Sequence, residues 1–252
     1  MTVPVPPVPP ATRFASIDRS PIRWGIGDFF WIFGGGFVVS VIAVIATTVV
    51  TGWTEPLSDA ETILLNGIAG LAQFGGFALL LWALLRSKGR GVLRDLAVFA
   101  DREWGWVIVC FFGGIGLQIA LGLSVYPLTQ LNNDRSQELV DQLGDGSGVG
   151  VALLAVVAAF LAPIFEELLF RGVLLRALLR RMQAVWAVAV SAIGFGVPHL
   201  LDPNAIAVLP ALVGFGIVSG VLAVRSGGLL RSIALHMGFN FLTVVIAIGG
   251  GG

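Results

Sequence analysis

The stretch Phe165-Glu166-Glu167-Leu168-Leu169-Phe170-Arg171 sets two adjacent carboxylates and an arginine at the end of an almost uninterrupted apolar run. An ionisable side chain near a bilayer centre costs roughly 2.5–3.5 kcal/mol on insertion scales, so such groups persist chiefly where they face protein or water and serve a function. The chain has two histidines, His199 and His236, and both fall in apolar segments downstream of the carboxylates. Phe195 and His199 are four residues apart, as are His236 and Asn240, so each pair shares a helix face. Carboxylate, imidazole and carboxamide in apolar surroundings could supply a base for water, a proton for a leaving amine and a donor for an oxyanion. Peptide hydrolysis requires all three.

The elements that carry these residues must bring them together. On an α-helix each residue advances about 100°, so Glu167 and Arg171 lie within about 40° of each other while Glu166 points roughly 100° away from Glu167. Glu167 four residues before Arg171 is the favourable order for an ion pair. That gives these two a structural part and leaves Glu166 as the free carboxylate. A helical hairpin turning between Met182 and Gln183 puts Glu166 and His199 at one level. The last hairpin, turning near Gly227, sets His236 level with Val218, well below His199 if the sixth segment is straight. Pro203 and Pro210 predict a broken or partly re-entrant start to that segment, which would reduce the offset. Gly214, Gly216 and Gly220 would let neighbouring helices approach closely. Phe170 and Phe195 read as core or lipid-facing aromatics, Phe195 supporting the site.

With 252 residues, 56% of them hydrophobic and 12% charged, and a mean hydropathy of +0.93, the chain is expected to be an all-α polytopic membrane protein. A formal net charge of zero gives no sign of a nucleic-acid partner. The single cysteine, Cys110, excludes an internal disulfide and a CxxC metal site. Apolar runs predict about seven spans. Lys and Arg fall in the N-terminal stretch and at 86–102, 171–181 and 225–231, whereas the connectors at 51–61, 129–148 and 202–204 are mostly acidic. The positive-inside rule then places the N-terminus in the cytoplasm and the C-terminus outside. Trp24 and Trp31 are expected near an interface.

EExxxR at Glu166, Glu167 and Arg171, FxxxH at Phe195 and His199, and HxxxN at His236 and Asn240 occur in that order along the membrane segments. Together they resemble the three motifs of the CAAX protease and bacteriocin-processing (CPBP, or ABI) intramembrane proteases, which include the type II CAAX prenyl endopeptidases. The resemblance covers about 149–248, without departure inside the motifs. It implies that Glu166 activates the attacking water, that His199, His236 and Asn240 complete the site, and that Glu167 and Arg171 support it. The substrate would be a membrane-associated or prenylated, CAAX-like protein or peptide, met in a cavity between the fourth, fifth and seventh helices and open to the cytoplasm.

The expected organisation is then a disordered cytoplasmic tail (1–23), three helices and their loops (24–148), a protease core (149–248) and a glycine tail (249–252). HExxH is absent, yet His199, His236 and Glu166 could hold zinc or another divalent metal, with water in the open position. Two other readings stand beside the protease. One is an ion- or proton-coupled transporter with a Glu166, His199 and His236 relay, against which no repeat relates the two halves. The other is a non-catalytic membrane scaffold or immunity protein, against which the intact motifs argue.

Overall fold

The computed structural model describes residues 23–89, 104–132 and 148–250. Among them are seven helices long and apolar enough to cross a membrane, and no strand. They are α1 (Ile26–Thr51), α2 (Asp59–Lys88), α3 (Trp104–Asn132), α4 (Gly148–Leu179), α5 (Ala184–Leu201), α6 (Leu209–Ser226) and α7 (Leu230–Gly250). The chain is thus a polytopic α-helical bundle with the expected number of spans. The expected tail before Arg23, most of the loop at 129–148 and the last two glycines lie outside the described residues.

Local chemistry sets the helix ends. The Gly25 amide donates to the Asp28 carboxylate at 2.8 Å, and Asp28 also pairs with Lys88 at the far end of α2, at 2.6 Å. Ser58 and Glu61 form a reciprocal capping box at the start of α2, satisfying amides that have no partner within the helix. Gly52 and Gly227 close α1 and α6 with φ of 71° and 72°, a region that favours glycine. The turn between α4 and α5 ends at Gln183, where the sequence placed it.

The apolar run from Ala205 is broken, as its prolines suggested. Pro203–Ile206 is a 3₁₀ turn, and α6 starts at Leu209 with Pro210 in its first turn. A missing N–H costs no helical hydrogen bond there.

Small residues set the helix crossings. A Cβ on Gly216 of α6 would lie 2.9 Å from the backbone of Ala192 in α5. One on Gly238 of α7 would collide with the Phe111 carbonyl of α3. Such close backbone approach is the usual basis of helix association where lipid removes the hydrophobic drive. Between the helices runs a line of aromatic contacts. Phe29 of α1 meets Phe170 of α4 at 5.2 Å between ring centres, Phe170 meets Phe195 of α5 at 5.4 Å, Phe195 meets Phe215 of α6 at 5.6 Å, and Phe215 meets Phe239 of α7 at 4.7 Å. Phe170 and Phe195 are therefore core residues, 2% and 1% exposed, not lipid-facing ones.

Successive helices alternate in direction, which sorts the charges. Among the described residues every Lys and Arg other than Arg171 lies at one end of the bundle. There Arg180 donates to the carbonyl of Trp24, and Arg231 stacks over Trp106 at 5.0 Å. Trp24, expected at an interface, is fully buried. Glu55, Asp59, Glu61 and Asp202 mark the opposite end.

Candidate active site

Helix α4 carries both carboxylates and is wound unevenly. Val157–Leu161 and Glu167–Leu175 are π-helical, with α-helical Ala162–Glu166 between them. Wide turns of this kind recur at functional positions. The first follows from the sequence around Pro163. The amide of Ala162 bonds to the carbonyl of Val157, five residues back. The next amide in that pattern would belong to residue 163 and would meet Ala158, but proline has no N–H. Asn240 of α7 supplies the missing donor, its Nδ2 lying 2.9 Å from the Ala158 oxygen.

Despite the wide winding, Glu167 and Arg171 form the ion pair expected from their spacing. Arg171 Nη1 lies 3.0 Å from Glu167 Oε1, and both side chains are 0% exposed. A buried pair needs further partners to offset its desolvation, and α6 and α7 provide them. Ser219 donates to Glu167 Oε2 at 2.8 Å, Arg171 Nη2 donates to the Gly216 carbonyl at 3.1 Å, and the guanidinium lies 4.7 Å from the Phe195 ring centre. His236 Nδ1 approaches Glu167 Oε1 at 3.1 Å. Because a carboxylate held by an arginine accepts, His236 carries its proton on Nδ1 and turns Nε2 toward Glu166 Oε2, 3.7 Å away.

Glu166 differs in every respect. Its side chain is 22% exposed and borders a cavity of about 650 Å³ that His199, His236, Asn240 and Phe195 also line. Glu167 and Arg171 stand behind this wall and do not reach the cavity. His199 sits in the 3₁₀ turn Val197–Leu201 that ends α5, with Nδ1 3.1 Å from the carbonyl of Phe195. A carbonyl can only accept, so His199 too holds its proton on Nδ1 and leaves Nε2 as the free nitrogen. Phe195 touches both imidazoles, at 5.3 Å from His199 and 5.5 Å from His236 between ring centres. A second cavity of about 140 Å³, walled by Phe33, Phe37, Phe74, Phe77 and Phe170, meets the first at Glu166.

The structure therefore brings Glu166, His199, His236 and Asn240 to one cavity. His236 packs against Phe215, at 4.5 Å between ring centres, and reaches the same Glu167 that Ser219 does, which is the depth given by a turn at Gly227. Phe195 touches both rings, so one face of α5 serves both histidines. Sequence reasoning missed Ser219, the Gly216 carbonyl, Gln73, and the Gln118 to Thr243 hydrogen bond of 2.9 Å at the cavity wall. Gln73 and Gln118 are isolated polar groups in apolar spans, so the cost that singled out Glu166 would have flagged them.

From Glu166 the cavity wall runs toward the α5–α6 connector, through Leu201, Asp202 and Val208. That is the end away from the described arginines. The cause is helix direction. Glu166 precedes Arg176, Arg180 and Arg181 on α4, and His199 lies near the last residue of α5, so the site and the basic side chains occupy opposite halves. Among the described residues no group of three or more His, Cys, Asp or Glu is placed to hold a metal ion. The trio His199, His236 and Glu166 in this arrangement does not fit one.

Fold and site define a polytopic α-helical membrane protein with ionisable groups gathered at a cavity inside the bundle. Residues 148–242 match the family model for type II CAAX prenyl endopeptidase Rce1-like proteins, in agreement with the CPBP resemblance carried by the three motifs. An Escherichia coli protein described as an uncharacterized 24.3 kDa protein is 31% identical over 153 residues, 58% of this chain and 63% of its own length. The chain thus spans less than two thirds of that relative. No solved structure matches.

Proposed function

We propose that the protein is an intramembrane endopeptidase that hydrolyses a peptide bond of a membrane-associated protein or peptide with water activated by Glu166. The observation that carries this reading is the division of labour between neighbours. Glu167 is wholly buried and satisfied by Arg171, Ser219 and His236, while Glu166 borders a cavity large enough for substrate beside His236 Nε2.

Water held between Glu166 and His199 Nε2 gives up a proton to Glu166 as it attacks the scissile carbonyl. The second Nδ2 hydrogen of Asn240 faces the oxyanion. Protonated Glu166 then delivers that proton to the leaving amine, directly or relayed through His236 Nε2. His236 is steered by Glu167, so the buried ion pair acts as a positioning device. No step passes through a metal. Residues 149–248 form the core that carries the motifs, with α2 and α3 adding walls. The positive-inside rule puts the basic end, and with it the N-terminus, in the cytoplasm, and the C-terminus outside.

The test is cleavage of a membrane-associated peptide library by purified protein, read by mass spectrometry. Wild type should produce fragments that Glu166→Gln, Glu166→Ala and His236→Ala do not. Equal cleavage by wild type and Glu166→Ala would remove the proposal. Uptake of a solute driven by a pH gradient and dependent on Glu166 would favour a transporter in its place.

A further inference from the structure

Resting on the proteolytic reading, we infer that Gln73 of α2 is a substrate-binding residue, its carboxamide hydrogen-bonded to the peptide backbone beside the bond that Glu166 cuts. Helix α2 lies outside the matched residues 148–242, and none of the three motifs implies this part.

The first observation is where Gln73 stands. Between Asn66 and Arg86 every other residue of α2 is Gly, Ala, Ile, Leu, Phe or Trp. Its neighbour Phe74 stacks on Phe165, the residue before Glu166, at 5.7 Å between ring centres and 19° between planes. That contact fixes this turn of α2 beside the reacting carboxylate. Gln73, Glu166, Phe195, Pro198 and His199 line both the cavity of about 650 Å³ and the aromatic one of about 140 Å³. Gln73 therefore stands at their junction, and a peptide laid across Glu166 and His199 passes it.

The second observation is that its side chain has nothing else to do. Among the described residues the half-buried carboxamide of Gln73 has no hydrogen-bond partner. The other two amide side chains at the wall are engaged, Gln118 with Thr243 and Asn240 with the Ala158 carbonyl. Helix association does not call on Gln73 either. The Ser40 hydroxyl of α1 donates to the Ala69 carbonyl at 3.0 Å, and a Cβ on Gly36 would lie 3.1 Å from the Gln73 carbonyl oxygen. Helix α1 thus packs on the backbone of Gln73 and leaves the side chain to the cavity. An amide without a partner among apolar side chains is costly. A peptide unit of a bound substrate, with one C=O and one N–H, satisfies both ends of the carboxamide, whatever side chains the substrate carries.

The probe is the peptide that wild type cuts fastest in the library assay, remade with an ester in place of each amide flanking the scissile bond in turn. An ester removes the N–H that Gln73 Oε1 would accept and weakens the carbonyl that Nε2 would meet. One of these esters should lower wild-type kcat/KM about tenfold. The same ester should cost Gln73→Met little, the two losses being non-additive. With the all-amide peptide, Gln73→Met should already have lost about tenfold, chiefly through KM. Its unfolding midpoint in mixed micelles should equal or exceed that of wild type, because methionine fills the same space without a lone amide. Gln73→Asn, which draws the amide back by one methylene, should lose about as much turnover.

Wild-type kcat/KM in both variants, or the same response to every ester in wild type and variants, overturns the inference. A lowered midpoint with an unchanged ester response assigns Gln73 to helix packing and overturns it as well. In either case Glu166→Gln remaining inactive keeps the protease reading. If wild type cuts no peptide, or Glu166→Ala cuts as well as wild type, the protease reading falls and this inference falls with it.

Discussion

Pro163 and Asn240 act on the same atom from opposite sides. The proline withholds the amide that a π turn would direct at the Ala158 carbonyl, and the asparagine side chain supplies a donor in its place at 2.9 Å. Asn240→Asp keeps the shape and removes the donor, so it should cost about 1–3 kcal/mol of stability. Pro163→Ala returns a backbone amide to the position. The loss from Asn240→Ala should therefore shrink in a Pro163→Ala background, a coupling that a double-mutant cycle of unfolding in mixed micelles would read. Additive losses would show that the two residues do not share the carbonyl.

Glu167 and Arg171 are both wholly buried, so removing one charge strands the other. Arg171→Ala should destabilise by about 3–5 kcal/mol, and Glu167→Gln combined with Arg171→Met should recover a large part of that loss. Unfolding of the two variants beside wild type checks the order. In the double variant His236 loses its carboxylate anchor, so turnover should stay low while stability returns.

Glu166→Gln should lower kcat by at least about 100-fold, the usual contribution of a general base. Stability should hardly change, because the ion pair and hydrogen bonds that fix α4 belong to Glu167. A variant that loses activity and unfolds together would point to a structural part for Glu166.

The two histidines should separate under the same pair of measurements. His236 is 2% exposed, bound to Glu167 and packed on Phe215. His236→Ala should therefore lower both turnover and the unfolding midpoint. His199 lies within the 3₁₀ turn Val197–Leu201 at the cavity, and its ring bonds to the Phe195 carbonyl of the same helix. Replacing it by Ala should lower turnover with little change in the midpoint.

Chelation should leave turnover at its starting value, since no three described ligands converge to hold a metal. Loss of activity on dialysis against a chelator, restored by zinc, would show that His199, His236 and Glu166 close around an ion in the working enzyme.

Much of this was legible because charge is rare in the chain. Two carboxylates, two histidines and an arginine stand out against apolar runs, and helical spacing correctly paired Glu167 with Arg171. Hairpin arithmetic brought Glu166 and His199 to one cavity. It could not find Phe195 touching both imidazoles, because ring contacts are invisible in residue counts. The π turns were hidden for a similar reason. Pro163 alone is compatible with a kink, a break or a wide turn, and only Asn240 on a distant helix selects among them.

The wide turn at Val157–Leu161 also sets the phase between two halves of α4. Before it and at its first residue, Leu153 and Val157 fill the spaces left by Gly67 and Gly70 of α2. Beyond it, Phe170 and Arg171 face α1, α5 and α6. A wide turn holds one residue more than regular winding needs, so deleting a residue there would shorten the chain without breaking the helix. Winding the same residues regularly, without the wide turn, would instead rotate one half by about 100° against the other. The bundle would keep its length and lose its alignment, with Glu166 facing its cavity only if the contacts to α2 were given up.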